Sequence, residues 1–180
     1  MKILFRHGQC EHNLKNWISC GLDSKSELTE DGRKMVRESA LNLKERILGI
    51  SLFHISPKIK IYSSPLLRTK QTAEIICEVL DINPNNIIYD ERLKEIQYGS
   101  YDEGPVNRLP YNVYDIDKFK EQGSETYEDV DNRVSEFMKD EFNELDTTIV
   151  VSHALPIREM HKMLTGITDK IKVANYFIVL

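Results

Sequence analysis

The feature that most constrains the fold of this chain is an alternation of short apolar runs with longer segments of helical periodicity. Apolar or β-branched runs lie at residues 3–5, 59–62, 87–89 and 148–151, and a last one lies near the end at 173–180. Runs of this length that are bounded by polar residues are typical of strands. Strands that alternate with helices usually form a parallel sheet that is covered on both faces. We therefore predict an α/β fold, a three-layer α/β/α sandwich around a mostly parallel sheet.

Signals for the ends of helices support this arrangement. Thr29 is placed as the N-cap of an amphipathic helix, and Gly49 is the predicted end of that helix. A second helical pattern begins near Leu67. Thr126 opens a third helix and has an acidic residue three positions later, which is the spacing of a capping box.

Length and charge bound the organisation and the partners of the chain. With 180 residues and no evident repeat or linker, we expect a single domain at 1–180, with a small cap or lid near 104–123. The formal net charge is −5, and acidic and basic residues are interleaved rather than blocked. Nucleic-acid binding requires a concentrated basic patch, so we do not expect a nucleic-acid partner.

The cysteines and the N-terminus bear on the compartment. Cys10, Cys20 and Cys77 are odd in number and lack the paired spacing of a metal site, so a reduced compartment is the simplest interpretation. The apolar run before Arg6 is too short for the core of a signal peptide, and no segment is long enough to span a bilayer. We therefore expect a cytoplasmic protein with no membrane partner. The sequence leaves open a homodimer formed through the C-terminal strand.

Basic side chains follow three of the predicted strands directly. Arg6 and His7 come after the first strand, Arg68 opens the helix after the second, and His153 follows the strand at 148–151. The carboxyl ends of parallel strands lie at one edge of a sheet, where α/β folds place their ligand crevice. Arginine binds phosphate oxygens through a forked set of donors, and a neutral histidine can attack phosphorus. The sequence therefore predicts a pocket for a phosphoryl group.

The predicted chemistry is phosphoryl transfer through a covalent intermediate on His7. Fixed positive charge around the equatorial oxygens is the main catalytic requirement, and Arg6, Arg68 and His153 would supply it. Gly8 is expected to let the backbone turn sharply and approach a ligand closely. The sequence has no convincing cluster of metal ligands, so we expect no metal ion and no other cofactor.

A carboxylic acid near the bridging oxygen should protonate the leaving alkoxide. Glu95 is the first candidate for this acid, and Asp102 and Glu103 are weaker candidates. Water would then hydrolyse the phosphohistidine, with Glu95 acting as the base. The remaining histidines are interpreted as surface or packing residues: His12, His54 and His161.

These residues also carry a resemblance to a known family. In this order the motifs resemble those of the histidine phosphatase superfamily, in its phosphoglycerate mutase-like branch, over nearly the whole chain. The matching segments are Arg6-His7-Gly8 with Asn13, Leu28-Thr29-Glu30-Asp31-Gly32, Ser63-Ser64-Pro65-Leu66-Leu67-Arg68 with Gln71-Thr72-Ala73-Glu74, Arg92-Leu93-Lys94-Glu95 with Tyr98-Gly99, and Val150-Val151-Ser152-His153. The resemblance implies a phosphoglycerate mutase-like fold, with His7 as the nucleophile and Glu95 as the proton donor. It also implies a phosphate pocket formed by Arg6, Asn13, Arg68 and His153.

The chain departs from the family pattern at positions that bear on specificity. Gln9 and Cys10 stand where glutamate and a hydroxyl residue are frequent, and Cys20 replaces a hydroxyl residue that can touch the substrate. Ala154 replaces the usual glycine after the second histidine, which would introduce strain only if that position needs a positive φ. The predicted substrate-binding residues are Asn13, Cys20, Gly21, Ser152 and Ala154.

Phosphatases and mutases share this machinery, so the core residues alone do not separate them. The resemblance implies that family mutases carry a longer basic insert after the acid segment. Here residues 104–123 are short and hold only Arg108, Lys118 and Lys120 as basic side chains. We therefore predict a metal-independent phosphomonoesterase, with a cofactor-dependent phosphoglycerate mutase as the alternative. A non-catalytic phosphate-binding module is a second alternative, whose mark would be a missing nucleophile or acid, and both are present.

Overall fold

The computed structural model describes residues 1–20, 25–51, 59–110, 112, 115, 118, 120, 123–143 and 146–180. These residues form a five-stranded sheet and a separate two-stranded ribbon. The strands in chain order are β1 (Lys2–Arg6), β2 (Trp17–Ile18), β3 (Ile59–Ser63), β4 (Ile87–Tyr89), β5 (Gly104–Pro105), β6 (Thr147–Ser152) and β7 (Tyr176–Val179). The large sheet has the order β4-β3-β6-β1-β7, and the ribbon pairs β2 with β5.

The large sheet is mostly parallel. β4, β3, β6 and β1 are parallel neighbours, whereas β7 pairs antiparallel with β1 at one edge. β6 is buried at every position, as expected for a central strand that is covered on both faces. The predicted sheet is therefore confirmed, and so is the terminal strand at its edge.

Helices cover both faces of this sheet. In chain order they are α1 (Glu11–Lys15), α2 (Glu30–Ser51), α3 (Leu67–Leu80), α4 (Tyr127–Glu141) and α5 (Ala154–Thr165). Side chains of β1 alternate between two cores: Ile3 and Phe5 pack with residues of α2 and α3, and Leu4 packs with residues of α4 and α5. The two cores make the predicted three-layer sandwich. No helix within the described ranges is both long and apolar enough to cross a membrane.

Two of the predicted helix ends are confirmed and a third is wrong. The hydroxyl of Thr29 accepts a hydrogen bond from the Gly32 N–H at 2.9 Å, so Thr29 caps α2. Thr126 and Asp129 form the predicted capping box at the start of α4. In contrast, α2 continues through Gly49, the predicted end. A single glycine costs a helix only about 1 kcal/mol, which is too little to end a helix whose apolar face is packed on the sheet.

The predicted cap is described only in part. Of residues 104–123, the structure gives 104–110 and scattered positions beyond them. β5, at the start of this segment, pairs with β2, in the register Trp17 with Pro105 and Ile18 with Gly104. The start of the predicted cap is therefore paired with β2, the short strand that follows His7 and α1 in the chain.

Candidate active site

The carboxyl ends of three parallel strands meet at one edge of the sheet. β1 leads into His7, β3 into Ser64 and β6 into His153. Backbone hydrogen bonds hold these ends together: the His7 N–H donates to the Ser152 carbonyl at 3.0 Å, and the Ser64 N–H donates to the Val151 carbonyl at 3.0 Å. The structure thus brings the residues that follow the strands into one place.

His7 is buried and its tautomer follows from its contacts. Nδ1 lies 2.7 Å from the Gly8 carbonyl oxygen, which can only accept, so Nδ1 carries the proton. Nε2 accepts a hydrogen bond from Nε of Arg68 at 3.3 Å and therefore presents its lone pair. Burial, followed by the charges of Arg68 and Arg6, holds the pKa of His7 well below its usual value. The ring is neutral at neutral pH, and its unprotonated nitrogen, Nε2, faces the Arg68 guanidinium.

Gly8 allows the loop after β1 to pack closely on α2. Its φ is not in the left-handed region. A Cβ at this position would lie 2.6 Å from Cγ2 of Val36 and 2.8 Å from the carbonyl oxygen of Gly32. The loop after β1 can therefore lie directly on α2 only because Gly8 lacks a side chain. Close packing on α2 is thus a reason for this glycine that the sequence did not indicate, and its predicted close approach to a ligand stays a prediction.

Arg68 lies between the two histidines. Its side chain is 4% exposed. Nε donates to Nε2 of His7 at 3.3 Å, and Nη2 donates to Nδ1 of His153 at 3.1 Å. Nη1 is buried and has no hydrogen-bond partner among the described residues. Because buried donors are normally paired, this guanidinium nitrogen marks a place where an acceptor, such as a phosphate oxygen, would be stabilised.

His153 is held by a residue that the sequence analysis did not assign. Its Nδ1 accepts from Arg68, so Nε2 carries the proton and donates to the hydroxyl of Ser64 at 2.9 Å. The rings of His7 and His153 have centroids 5.1 Å apart. Burial and the charge of Arg68 hold the pKa of His153 well below its usual value. Ser64 was interpreted only as part of a motif and a strand end, and no local spacing relates it to a histidine 89 positions away.

Arg6 and Asn13, the other predicted phosphate ligands, have partners of their own. Arg6 donates from Nη1 to the Ile171 carbonyl at 2.7 Å, and its charge helps to lower the pKa of His7. The side-chain oxygen of Asn13 accepts from the backbone N–H and the thiol of Cys10, at 3.0 and 3.1 Å. The amide NH₂ of Asn13 is thus the part that can donate to an anion. Their binding of phosphate stays a prediction.

Glu95 lies at the N-terminus of α5. One carboxylate oxygen accepts from the Ala154 N–H at 3.1 Å, and the other accepts from the Ile96 N–H at 3.1 Å. Ala154 is the first residue of α5 and directly follows His153, so the carboxylate is held beside the second histidine. The two backbone N–H groups thus hold the carboxyl group of Glu95 in a fixed position beside His153.

The segment that carries Glu95 is anchored from two sides. The hydroxyl of Ser152, at the end of β6, donates to the Leu93 carbonyl at 2.6 Å. From α4, Nη1 of Arg133 donates to the Arg92 carbonyl at 2.6 Å. Nε of Arg133 is itself paired with the Glu125 carboxylate at 2.8 Å. These contacts fix the position of Glu95 relative to the histidines, as its predicted role in proton transfer requires.

Cys20 lies beside the carboxylates of the site. It is 4% exposed, and burial together with the charges of Glu95 and Asp102 raises the pKa of its thiol well above the usual value. The thiol is therefore protonated, and it forms a side-chain hydrogen bond with Asp102. Asp102 also accepts from the Tyr98 N–H at 2.9 Å, and burial raises the pKa of Asp102 to about 6. The charge of Glu95, the predicted proton donor, thus acts on the Cys20 thiol, and contact of Cys20 with the substrate stays a prediction.

The other predicted substrate contacts divide into three cases. Ser152 uses its hydroxyl to anchor the acid segment, as described above. Ala154 donates its backbone N–H to Glu95, and it has no positive φ, so its methyl group introduces no backbone strain. Gly21 lies outside the described residues. Direct contact of Ser152 and Ala154 with substrate stays a prediction.

Known proteins share the sequence pattern and the fold. A family model described as the histidine phosphatase superfamily (branch 1) matches residues 3–172. Phosphoserine phosphatase 1 of Hydrogenobacter thermophilus is 31% identical over 177 residues, which cover 92% of this chain and 76% of that protein. The 2,3-bisphosphoglycerate-dependent phosphoglycerate mutase of Thermoplasma acidophilum is 29% identical, with 87% of this chain and 72% of that protein covered. A mycobacterial glucosyl-3-phosphoglycerate phosphatase, solved with VO3, shares the fold at a TM-score of 0.69 and 21% identity, with 97% of this chain and 88% of that chain covered.

Proposed function

Since the chain belongs to the histidine phosphatase superfamily and is a phosphatase of that type, we propose that it hydrolyses small phosphomonoesters through a covalent phosphohistidine on His7. The observation that carries this proposal is the tautomer of His7. Its proton is on Nδ1, against the Gly8 carbonyl, and the lone pair on Nε2 faces Arg68. The lowered pKa of His7 keeps that lone pair available at neutral pH.

In the first step, the Nε2 lone pair of His7 forms a bond to phosphorus while the ester P–O bond breaks. The leaving oxygen takes the proton of Glu95, so that an alcohol rather than an alkoxide departs. Negative charge spreads over the equatorial oxygens, where the donors of Arg68 and the charge of Arg6 stabilise it. We propose that these side chains, and not a metal ion, supply the positive charge.

In the second step, water attacks the phosphorus of the phosphohistidine. The N–P bond breaks and its electron pair returns to Nε2 of His7, while the water proton goes to Glu95. The enzyme is then back in its starting protonation state. The hydrogen bond from Nδ1 to the Gly8 carbonyl orients the ring through both steps, since it keeps the proton on Nδ1 and leaves Nε2 as the nitrogen with a lone pair.

The names of two relatives support a substrate class. One relative is named for phosphoserine and the other for phosphoglycerate. Both compounds are phosphate esters of three-carbon acids. We therefore propose that this chain acts on a small phosphorylated acid of that size.

A mutase is the second candidate, because one of these relatives is a phosphoglycerate mutase that aligns over most of this chain. A mutase must keep water away from the phosphohistidine and return the phosphoryl group to a bound acid. The short segment at 104–123, with few basic residues, favours hydrolysis.

Phosphate release and isomerisation measured together in EDTA test the proposal. The substrates are O-phosphoserine and 3-phosphoglycerate, the latter with and without the bisphosphate primer, and His7→Asn is the inactive control. We expect phosphate release without isomerisation, undiminished by the chelator. Dominant isomerisation would make the protein a mutase. Activity that EDTA removes and magnesium restores would contradict the proposal that side chains, and not a metal ion, supply the positive charge. Phosphate binding without either activity would favour a non-catalytic module.

A further inference from the structure

Thr72 is a buried hydroxyl residue to which the proposed reaction gives no role. It lies in α3, one helical turn after Arg68, and its side chain is 0% exposed. From the sequence it was interpreted only as part of the segment Gln71-Thr72-Ala73-Glu74. A buried hydroxyl group needs hydrogen-bond partners, so the contacts of Thr72 indicate what it does.

The hydroxyl of Thr72 makes two hydrogen bonds. Oγ1 donates its proton to the Arg68 carbonyl at 2.7 Å, and it accepts from the Gly8 N–H at 3.2 Å. The first bond is ordinary, because threonine in a helix often bonds the carbonyl four positions before it. The second bond is not, because it joins α3 to the loop after β1, 64 positions away in the sequence.

A single oxygen atom therefore connects the backbones of His7 and Arg68. The Gly8 nitrogen is bonded to the carbonyl carbon of His7, so Oγ1 of Thr72 bridges the peptide group after His7 and the carbonyl of Arg68. The side chains of the same two residues also meet, since Nε of Arg68 donates to Nε2 of His7 at 3.3 Å. The distance between the proposed nucleophile and the guanidinium thus depends on a backbone spacing that Thr72 holds.

The other backbone hydrogen bonds of His7 lead to different elements. The His7 N–H donates to the Ser152 carbonyl at 3.0 Å, and the His7 carbonyl accepts from the Ala174 N–H at 2.9 Å. These bonds hold His7 against the end of β6 and against the chain before β7, and neither element carries Arg68. Among the described residues, Thr72 supplies the hydrogen bond that joins the backbone of this loop to α3.

We propose that Thr72 is a positioning residue for the covalent step, whose hydroxyl sets the separation between Nε2 of His7 and the Arg68 guanidinium. In that step Nε2 forms a bond to phosphorus while the donors of Arg68 stabilise the equatorial oxygens of the same group. A misplacement of about 1 Å between groups that act together can cost about 100-fold in rate. This inference rests on the proposed function, since it names a further residue of the same site.

Thr72→Val and Thr72→Ser form the test pair. Valine has the shape of threonine but no hydroxyl group, so the Gly8 N–H loses its acceptor and the spacing is no longer fixed. We expect kcat/KM of Thr72→Val to fall about 10–100-fold while KM changes less than about three-fold, because the spacing matters when the bond to phosphorus forms. Thr72→Ser keeps the hydroxyl group, and its kcat/KM should stay within about three-fold of the unmodified chain.

Two readouts separate positioning of the nucleophile from other kinds of damage. The fractional loss of kcat/KM should be equal for O-phosphoserine and p-nitrophenyl phosphate, because both react through the same bond to phosphorus, whereas a defect in the proton donor would affect O-phosphoserine far more. Vanadate adopts the five-coordinate geometry of phosphoryl transfer. Its inhibition of Thr72→Val should weaken in proportion to the loss of kcat/KM, and inhibition by inorganic phosphate should stay unchanged.

Thr148→Val is the matched control. Thr148 is also 0% exposed, and it lies near the amino end of β6, at the opposite end of the sheet from the site. Its Oγ1 accepts from Nζ of Lys2 at 3.1 Å. The same replacement there should lower the thermal midpoint and leave kcat/KM unchanged. Near-UV circular dichroism verifies the fold of each variant. Should Thr72→Val fail to fold, Thr72→Ala replaces it, because alanine places no methyl group against the Gly8 N–H.

The outcomes distinguish the role of Thr72 from the proposed function. A folded Thr72→Val with the kcat/KM of the unmodified chain would overturn the role of Thr72. A loss confined to O-phosphoserine, or an equal loss in Thr148→Val, would overturn it as well. Absence of all phosphatase activity in the unmodified chain would instead contradict the proposed function, and the role of Thr72 would be refuted with it.

Discussion

Replacing Gly32 by alanine should destabilise the protein, although the same replacement at Gly49 in the same helix should stabilise it. Both glycines lie inside α2. Alanine in a helix interior is favoured over glycine by roughly 0.5–1 kcal/mol, because glycine loses more backbone entropy on folding. Among the residues that the structure describes, a Cβ at Gly49 would meet nothing within 4 Å, so the gain in helix stability is realised there in full.

At Gly32 the gain in helix stability is outweighed by a clash of the new Cβ with the backbone of Gln9. A Cβ there would lie 2.9 Å from the carbonyl carbon of Gln9 and 3.0 Å from its nitrogen, and the carbonyl oxygen would be closer still. That carbonyl also accepts from the Thr29 N–H at 3.0 Å, at the start of α2. Overpacking of this kind costs typically 1–3 kcal/mol. We expect a net loss of about 1–2 kcal/mol at Gly32 after the helix gain is subtracted.

Urea unfolding measures the two variants against the unmodified chain. At constant m-value, the midpoint should fall for Gly32→Ala and rise for Gly49→Ala. Thermal midpoints should separate in the same directions, by about 2–4 °C for each kcal/mol in a chain of this size. Because Gln9 is two residues from His7, Gly32→Ala should also lower kcat. An increase in stability for Gly32→Ala equal to that of Gly49→Ala would refute the packing argument.

Three further predictions concern the site. Ser64→Ala removes the acceptor for Nε2 of His153. In steady-state assays kcat should fall about ten-fold while the fold stays unchanged. An unchanged kcat would show that Ser64 has no role in catalysis. Glu95→Gln should lower kcat for alkyl phosphates by about 10²–10⁴, and far less for p-nitrophenyl phosphate, whose leaving group needs no proton; equal losses on both substrates would assign the proton donor elsewhere. The pKa of Asp102 is about 6 in the folded protein, against an ordinary value of 3.8. Between pH 3.8 and pH 6 the folded state therefore binds more protons at this carboxyl group than the unfolded state does. The free energy of unfolding falls as pH rises through that window. The new amide side chain of Asp102→Asn does not titrate, and its amide oxygen can still accept from the backbone. The thermal midpoint of this variant should therefore exceed that of the unmodified chain by a margin that grows from pH 4 to pH 7. A difference that stays constant with pH would contradict the burial argument.

The sequence was informative where chemistry follows directly from the position of a strand. His7, Arg68 and His153 were expected together because each follows a strand of a parallel sheet, and the structure brings them within hydrogen-bonding distance. Helix caps such as Thr29 were equally predictable from the sequence, since a cap depends on residues only three positions apart.

Contacts between distant parts of the chain could not be predicted in the same way. The bond from His153 to Ser64 joins residues on different strands, and many serines would fit such a role equally well in one sequence. The pairing of His12 with Glu103 depends on the ribbon of β2 and β5, whose two-residue strands leave no periodic signal. The packing role of Gly8 could not be predicted for a related reason, since the partner that it packs against, α2, is distant in sequence.

The central claim is that His7 carries the phosphoryl group during turnover. The most direct measurement mixes the protein with O-phosphoserine in EDTA, quenches the reaction in base and locates the bound phosphoryl group by peptide mass spectrometry. We predict a phosphoryl group on His7 in the unmodified chain, and neither label nor turnover in folded His7→Asn. Turnover by folded His7→Asn, or a phosphoryl group on any other residue, would contradict it.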